Sequence, residues 1–203
     1  MALMLCMLAV GVSSSTASAQ MMKDDKMMKK DGNPTVGGAA MYKRKNIVEN
    51  AMESPIHKTL VTAVVAAGLV DTLKGRGPFT VFAPTDDAFG KLPAGTVETL
   101  VKPENKMMLT NILTYHVVAG KMDSKAIAKA IKKGKGKATF KTVNGGILTA
   151  TMHNGGVMLA DEKGGTAMVT TADVYQSNGV IHVIDTVVMP GEKMMSGDGM
   201  KKM

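Results

Sequence analysis

The chain has 203 residues, enough for one domain of about 150 residues with an extension at each end. Its 25 Lys and Arg against 17 Asp and Glu give a formal charge of +8, and 45% of its residues are hydrophobic, which describes a basic chain that can still bury a core. A single cysteine excludes a disulfide scaffold, and the absence of zinc spacing, a recognition helix or an aromatic-rich sheet beside the lysines argues against nucleic acid as a partner.

Residues 1–19 read as a secretory signal peptide. An apolar run from Ala2 to Val12 is followed by small polar residues and by Ala17-Ser18-Ala19, which sets cleavage before Gln20. The run is well short of the ~20 residues needed to cross a bilayer. Cys6 lies inside it, so the exported chain carries no thiol, which suits a secreted or periplasmic protein.

Residues 20–42 form a Met/Lys-rich segment whose mixed charges and Gly/Pro cluster predict a flexible arm. Met21, Met22, Met27 and Met28 are echoed by Met194, Met195, Met200 and Met203 in a second flexible tail, residues 192–203. Two readings stand side by side. Thioethers are soft ligands suited to Cu(I), and exposed methionines also serve as expendable oxidation sites on inert tails.

The domain proper spans residues 43–191. Asn46 to Met52 is a short helix, and Ser54 followed by Pro55 is an N-cap and first-turn pair that predicts a helix running to Ala67, with Ile56, Leu60, Val64 and Ala67 on one face. His57 then falls at a surface or capping position. Gly68 ends the helix and Leu69 to Leu73 add one turn. After GRGP comes FTVFAPTDDAF, residues 79–89: a strand to Ala83, then Thr85 as helix cap with Asp86 and Asp87 at the positive end. Pro93–Leu100 and Pro103–Leu113 read as helices, the second burying Met107, Met108, Ile112 and Leu113.

Tyr115 and His116 follow, and their apolar flanks predict partly buried, hydrogen-bonded side chains. Between Lys121 and Lys141 stand eight lysines with only Asp123 to offset them. Ala126, Ile127, Ala130 and Ile131 supply an inward face, which turns Lys125, Lys129, Lys132 and Lys133 outward; Lys135 and Lys137 lie beyond the break at Gly134 and Gly136. The run is either a solvated face or a docking patch for an acidic polymer or an anionic envelope surface. From Ala138 the period changes from 3.6 to 2, giving strands at 139–143, 147–151, 157–159, 167–172 and 179–188, with hairpin turns at Asn144-Gly145-Gly146 and Asn154-Gly155-Gly156. His153 is expected at the surface. His182 reads as a satisfied sheet histidine that does not share a face with Asp185. Helices first and strands later predict an α+β fold, its early helices packed on small β-sheets.

Three segments in order, FTVFAPTDDAF, ILTYHVV (112–118) and SNGVIHVIDTVVMP (177–190), resemble the two signature boxes and the intervening Tyr-His segment of the fasciclin (FAS1) domain family, over Arg44 to Gly191. The resemblance implies an adhesion domain. It also makes Tyr115 and His116 candidate contact residues, and gives Asn178 and Asp185 the task of organising turns.

No G-x-S-x-G, H-E-x-x-H, C-x-x-C or dinucleotide glycine pattern occurs, and Asp86 and Asp87 are adjacent rather than facing, so neither an enzyme nor a cofactor is expected. The sequence reads as a noncatalytic exported adhesion or interaction module for a cell-surface or matrix protein or an acidic polysaccharide. The alternatives are a periplasmic accessory protein holding a small ligand in a groove between helices and sheets, and copper handling by the methionine tails.

Overall fold

A strand alternates its side chains between two faces, and β3 (Phe79–Pro84) uses both: Val81 and Ala83 enter one apolar cluster, Phe82 another. The computed structural model of the chain describes residues 32–191. Before β3 come a two-stranded ribbon, β1 (Thr35–Val36) and β2 (Ala39–Ala40), and three helices, α1 (Ile47–Glu53), α2 (Lys58–Ala67) and α3 (Val70–Lys74). After it come α4 (Asp86–Gly90), α5 (Thr96–Leu100), a 3-10 turn (Pro103–Asn105), α6 (Lys106–Tyr115), β4 (Val117–Ala119) and α7 (Ser124–Lys133). The remaining strands are β5 (Lys137–Lys141), β6 (Ile147–His153), β7 (Gly156–Ala160), β8 (Thr166–Gln176) and β9 (Gly179–Ile184).

Seven strands form one sheet in the order β4-β3-β9-β8-β7-β6-β5, where small separate sheets were expected. Only β3 and β9 run parallel, from Phe79 opposite Gly179 to Pro84 opposite Ile184; the other neighbours are antiparallel. The long β8 pairs with β7 through its first residues and with β9 through the rest, with register shifts between Val169 and Thr171 and between Thr171 and Val174. Bulges of this kind bend a sheet. The bend brings the two outermost strands together: Val118 bridges Thr142, and the Val143 N–H donates to the Val117 carbonyl at 2.8 Å.

Two cores result. The helical layer, with Leu60, Val64, Leu109 and Ile112, covers the face of β3 and β9 that carries Val81, Ala83, Ile181 and Val183. Inside the curled sheet, Phe82 and Ile184 meet Leu148, Ala150 and Leu159, and α7 adds Ile127 and Ile131. The β6–β7 turn is a two-residue hairpin with Asn154 at φ 48° and Gly155 at φ 79°, the left-handed pair that matches strand twist. Asn178 ties the ends of the first core, accepting from the Ile47 N–H at 3.1 Å and donating to the Leu73 and Gly75 carbonyls at 2.7 and 3.1 Å. Asp185 accepts from the Met168 N–H at 2.8 Å where β9 stops, so the last strand ends at Ile184 instead of continuing to Val188.

The helix expected from Pro55 begins at Lys58. Ser54 closes α1, and its hydroxyl is engaged with Nδ1 of His57 at 2.7 Å, so it caps nothing downstream. The cap comes from Asp86, whose carboxylate accepts from the Lys58 and Thr59 N–H groups at 3.3 and 2.8 Å. His57 is therefore buried, not a surface residue. Met107 and Met108 are exposed, 61% and 37%, because α6 turns Leu109, Ile112, Leu113 and Tyr115 inward. The helix expected over Pro93–Leu100 is confined to Thr96–Leu100.

Candidate functional site

Helix α7 is fixed at its start by two carboxylates. Asp123 accepts from the Ala126 N–H at 2.8 Å, and Asp173 accepts from the backbone N–H and hydroxyl of Ser124 at 2.7 and 2.5 Å, all at the positive end of the helix. Ile127 and Ile131 anchor it in the second core. Lys125, Lys129, Lys132 and Lys133 are left in solvent, the last two beside the negative helix end. The reversal into β5 is tight: a Cβ on Gly134 would lie 1.9 Å from the Lys137 carbonyl oxygen, and Lys135 sits at φ 55°. Along β5 the alternation buries Ala138 and Phe140 and exposes Lys137 and Lys141. Among the described residues no carboxylate lies within 4.0 Å of Lys125, Lys129, Lys132, Lys133, Lys135 or Lys137. The outcome is a face of six cations with no carboxylate partner among the described residues.

Tyr115 and His116 lie inside the molecule, 0% and 3% exposed. The Tyr115 hydroxyl donates to the Ile147 carbonyl at 2.7 Å and accepts from the Glu162 N–H at 3.2 Å, joining α6 to the start of β6 and to the β7–β8 turn. Burial pushes its phenol above the ordinary range. The His116 ring donates from Nδ1 to the Ile112 carbonyl at 2.8 Å, and Nε2 accepts from the Val188 N–H at 3.3 Å. Both nitrogens are engaged only if the ring is neutral, and burial lowers its pKa to about 4. Neither side chain presents a surface to a partner; the pair holds the two cores and the exit of the last strand in register.

His182 behaves in the same way. It is buried, stacks on Phe82 with ring centroids 5.6 Å apart, and Nε2 donates to the Met122 carbonyl at 2.8 Å. Burial lowers its pKa and that of His57, whose Nε2 has no hydrogen-bond partner. His153 is exposed beside its turn.

The helical layer leaves a cleft of about 170 Å³ over the sheet. Ile47 and Val48 of α1, Val61 of α2 and Val70 of α3 form its walls; Val81 and Ile181 form its floor. Met52 and Val65 at its rim are 64% and 60% exposed. A second, shallower hollow of about 410 Å³ lies against residues 74–78 and 176–179, with Lys74, Arg76 and Lys121 on its walls and no carboxylate. Lys74 lines both. These cations are the functional candidates that the sequence reading missed, although the alternation of cation and glycine from Lys74 to Gly77 was visible there.

Among the described residues no group of three or more His, Cys, Asp or Glu side chains is placed to hold a metal ion. Cys6 and the methionine sets Met21, Met22, Met27, Met28 and Met194, Met195, Met200, Met203 lie outside the described residues, as do the expected signal segment and most of the first arm.

A family model described as the fasciclin domain matches residues 55–190. Protein sll1483 of Synechocystis sp. is 48% identical over 155 residues, covering 76% of this chain and 79% of that protein. Cell surface glycolipoprotein MPB83 of Mycobacterium bovis is 35% identical over 164 residues, covering 78% of this chain and 67% of that protein. The solved structure of a FAS1 domain pair from the insect cell adhesion molecule fasciclin I superposes with a TM-score of 0.64 at 20% identity. That likeness is one of fold. It covers 78% of this chain and 54% of the solved one, so this chain spans about half of the pair.

Proposed function

The chain belongs to the fasciclin-domain family, and from that premise we propose that it is a noncatalytic interaction module of the adhesion type, working outside the cytoplasm and docking acidic partners on its lysine face. The observation that carries the reading is the set of six exposed cations on α7, β5 and the turn between them, with no carboxylate partner among the described residues. Unpaired like charges on one face repel each other, and an acidic polymer relieves that repulsion while it is steered in. Lys135 strengthens the reading. A non-glycine residue at φ 55° costs about 1–2 kcal/mol, and here the position carries a charge where its neighbours on both sides are glycine. The partner class is a cell-surface or matrix protein or an acidic polysaccharide. A place outside the cytoplasm follows the expected signal segment and the relative described as a cell surface glycolipoprotein. Among the described residues no helix is long and apolar enough to cross a membrane.

The test is capture of the exported chain on immobilised polygalacturonate, read at low and high salt, against a variant with Lys129, Lys133, Lys135 and Lys137 replaced by Glu. Saturable capture that salt removes and the variant lacks is the expected result, since charges in solvent are screened beyond ~10 Å at 0.1 M salt. Equal capture by a folded variant removes the lysine face from the function.

A second reading, small-ligand binding, is favoured by the apolar cleft under α1, α2 and α3. Its volume exceeds the voids that a close-packed interior leaves.

A further inference from the structure

The apolar cleft and the cationic hollow share Lys74, and their chemistries are complementary parts of one recognition problem. The cleft walls are aliphatic, and the rim positions Met52 and Val65 leave its mouth open to solvent. The hollow carries Lys74, Arg76 and Lys121 without a carboxylate on its walls, and no described carboxylate lies within salt-bridge distance of any of the three. Lys121 already lies over the Tyr175 ring, 4.9 Å from its centroid, but a wholly apolar ligand would leave Lys74 and Arg76 unused. A small hydrophilic anion would leave the cleft empty.

We infer that the two form one site for a single-chain amphiphile, its hydrocarbon tail in the cleft and its anionic head over Lys74 and Arg76. This rests on the small-ligand reading and names the ligand class for it. A dry cavity of about 150 Å³ is known to accept a benzene-sized group, so 170 Å³ holds about six carbon atoms of a tail. The head then emerges at the end of α3, where Lys74 stands at the negative helix end with its ammonium in solvent. Arg76 adds a planar fork suited to a carboxylate or phosphate. Nothing in the inference uses the lysines of α7.

The probes are butanoate, hexanoate, octanoate and decanoate, with octanol as the uncharged tail and inorganic phosphate as the free anion, all below micelle-forming concentration. Binding to the full chain is followed by calorimetry and by methyl shifts in NMR spectra. Affinity is expected to rise about fourfold per methylene from butanoate and to level off near octanoate, where the cleft is full. Lys74→Met should weaken octanoate at least threefold and leave octanol unchanged. Val65→Trp, which fills the mouth, should abolish binding of both; Met52→Asp, at an exposed rim position, serves if the tryptophan variant does not fold.

Octanol binding as tightly as octanoate, with Lys74→Met silent, overturns the amphiphile while leaving a small apolar ligand standing. Phosphate binding alone, with no gain from any tail, overturns it in favour of a free anion. No saturable binding of any probe overturns both the inference and the small-ligand reading.

Discussion

Acidification should destabilise this domain before its carboxylates titrate, and the cause lies in its buried imidazoles. His116 donates through Nδ1 to the Ile112 carbonyl and accepts through Nε2 from the Val188 N–H, so a second ring proton points at a donor. Protonation therefore costs a hydrogen bond as well as a buried charge. The folded pKa is lowered to about 4 from an ordinary 6.5. A lowered histidine pKa means that the unfolded chain binds more protons between those two values. Its stability contribution is thus complete above pH ~6.5 and is lost as pH falls towards ~4. For His116 alone the loss is about 2 kcal/mol near pH 5 and about 3 kcal/mol near pH 4. His57 and His182, both lowered by burial, act in the same direction. Against a total of about 5–15 kcal/mol such a loss is easily measured. Urea denaturation at a series of pH values reads it directly: the slope of unfolding free energy against pH should correspond to more than one proton taken up on unfolding, and His116→Gln should remove about one. A free energy that stays flat between about pH 7 and 5, with a two-state transition throughout, would refute the assignment of neutral, buried rings.

Other substitutions probe the remaining contacts by the same denaturation measurement. Phe82→Ala empties a site 1% exposed between the sheet and α7 and should cost ~3–5 kcal/mol; a loss below ~1 kcal/mol would contradict its place in the second core. Tyr115→Phe keeps the ring and removes the link between the Ile147 carbonyl and the Glu162 N–H, so about 1–2 kcal/mol should go, and no change would show that bond to be idle. At Gly179 a Cβ would meet the Phe79 carbonyl oxygen at 2.2 Å, so Gly179→Ala should destabilise by about 1–3 kcal/mol by forcing β3 and β9 apart; a silent variant would mean that the parallel pair is looser than it looks. Lys135→Gly should raise stability by about 1 kcal/mol through relief of its left-handed backbone, while lowering capture of an acidic polymer.

The strands of the second half were legible because their patterns are local. Alternation such as Ala138 and Phe140 in, Lys137 and Lys141 out, needs only neighbours in sequence, and Asn154-Gly155 carries its own turn geometry. The same holds for Thr85, which caps α4 by accepting from the Ala88 N–H at 3.2 Å. The start of α2 was misread because its cap arrives from Asp86, twenty-eight residues beyond Lys58, while the nearby Ser54 is occupied by His57. No window of sequence contains that exchange. The exposure of Met107 escaped for a related reason: an apolar side chain next to a good inward face is ambiguous until the partner helix is known. The lysine face could be read from charge density alone, but the cleft could not, since four helices and three strands contribute its lining.

The meeting of β4 with the end of β5, at Val118 and Thr142, leaves the seven-stranded sheet without a long free margin. Unpaired strand margins are templates on which a second chain can add itself by main-chain hydrogen bonds. Where β4 meets the residues after β5, that route is taken up by the chain's own main-chain hydrogen bond. Side chains beside that junction can then change one residue at a time without disturbing the backbone that presents them.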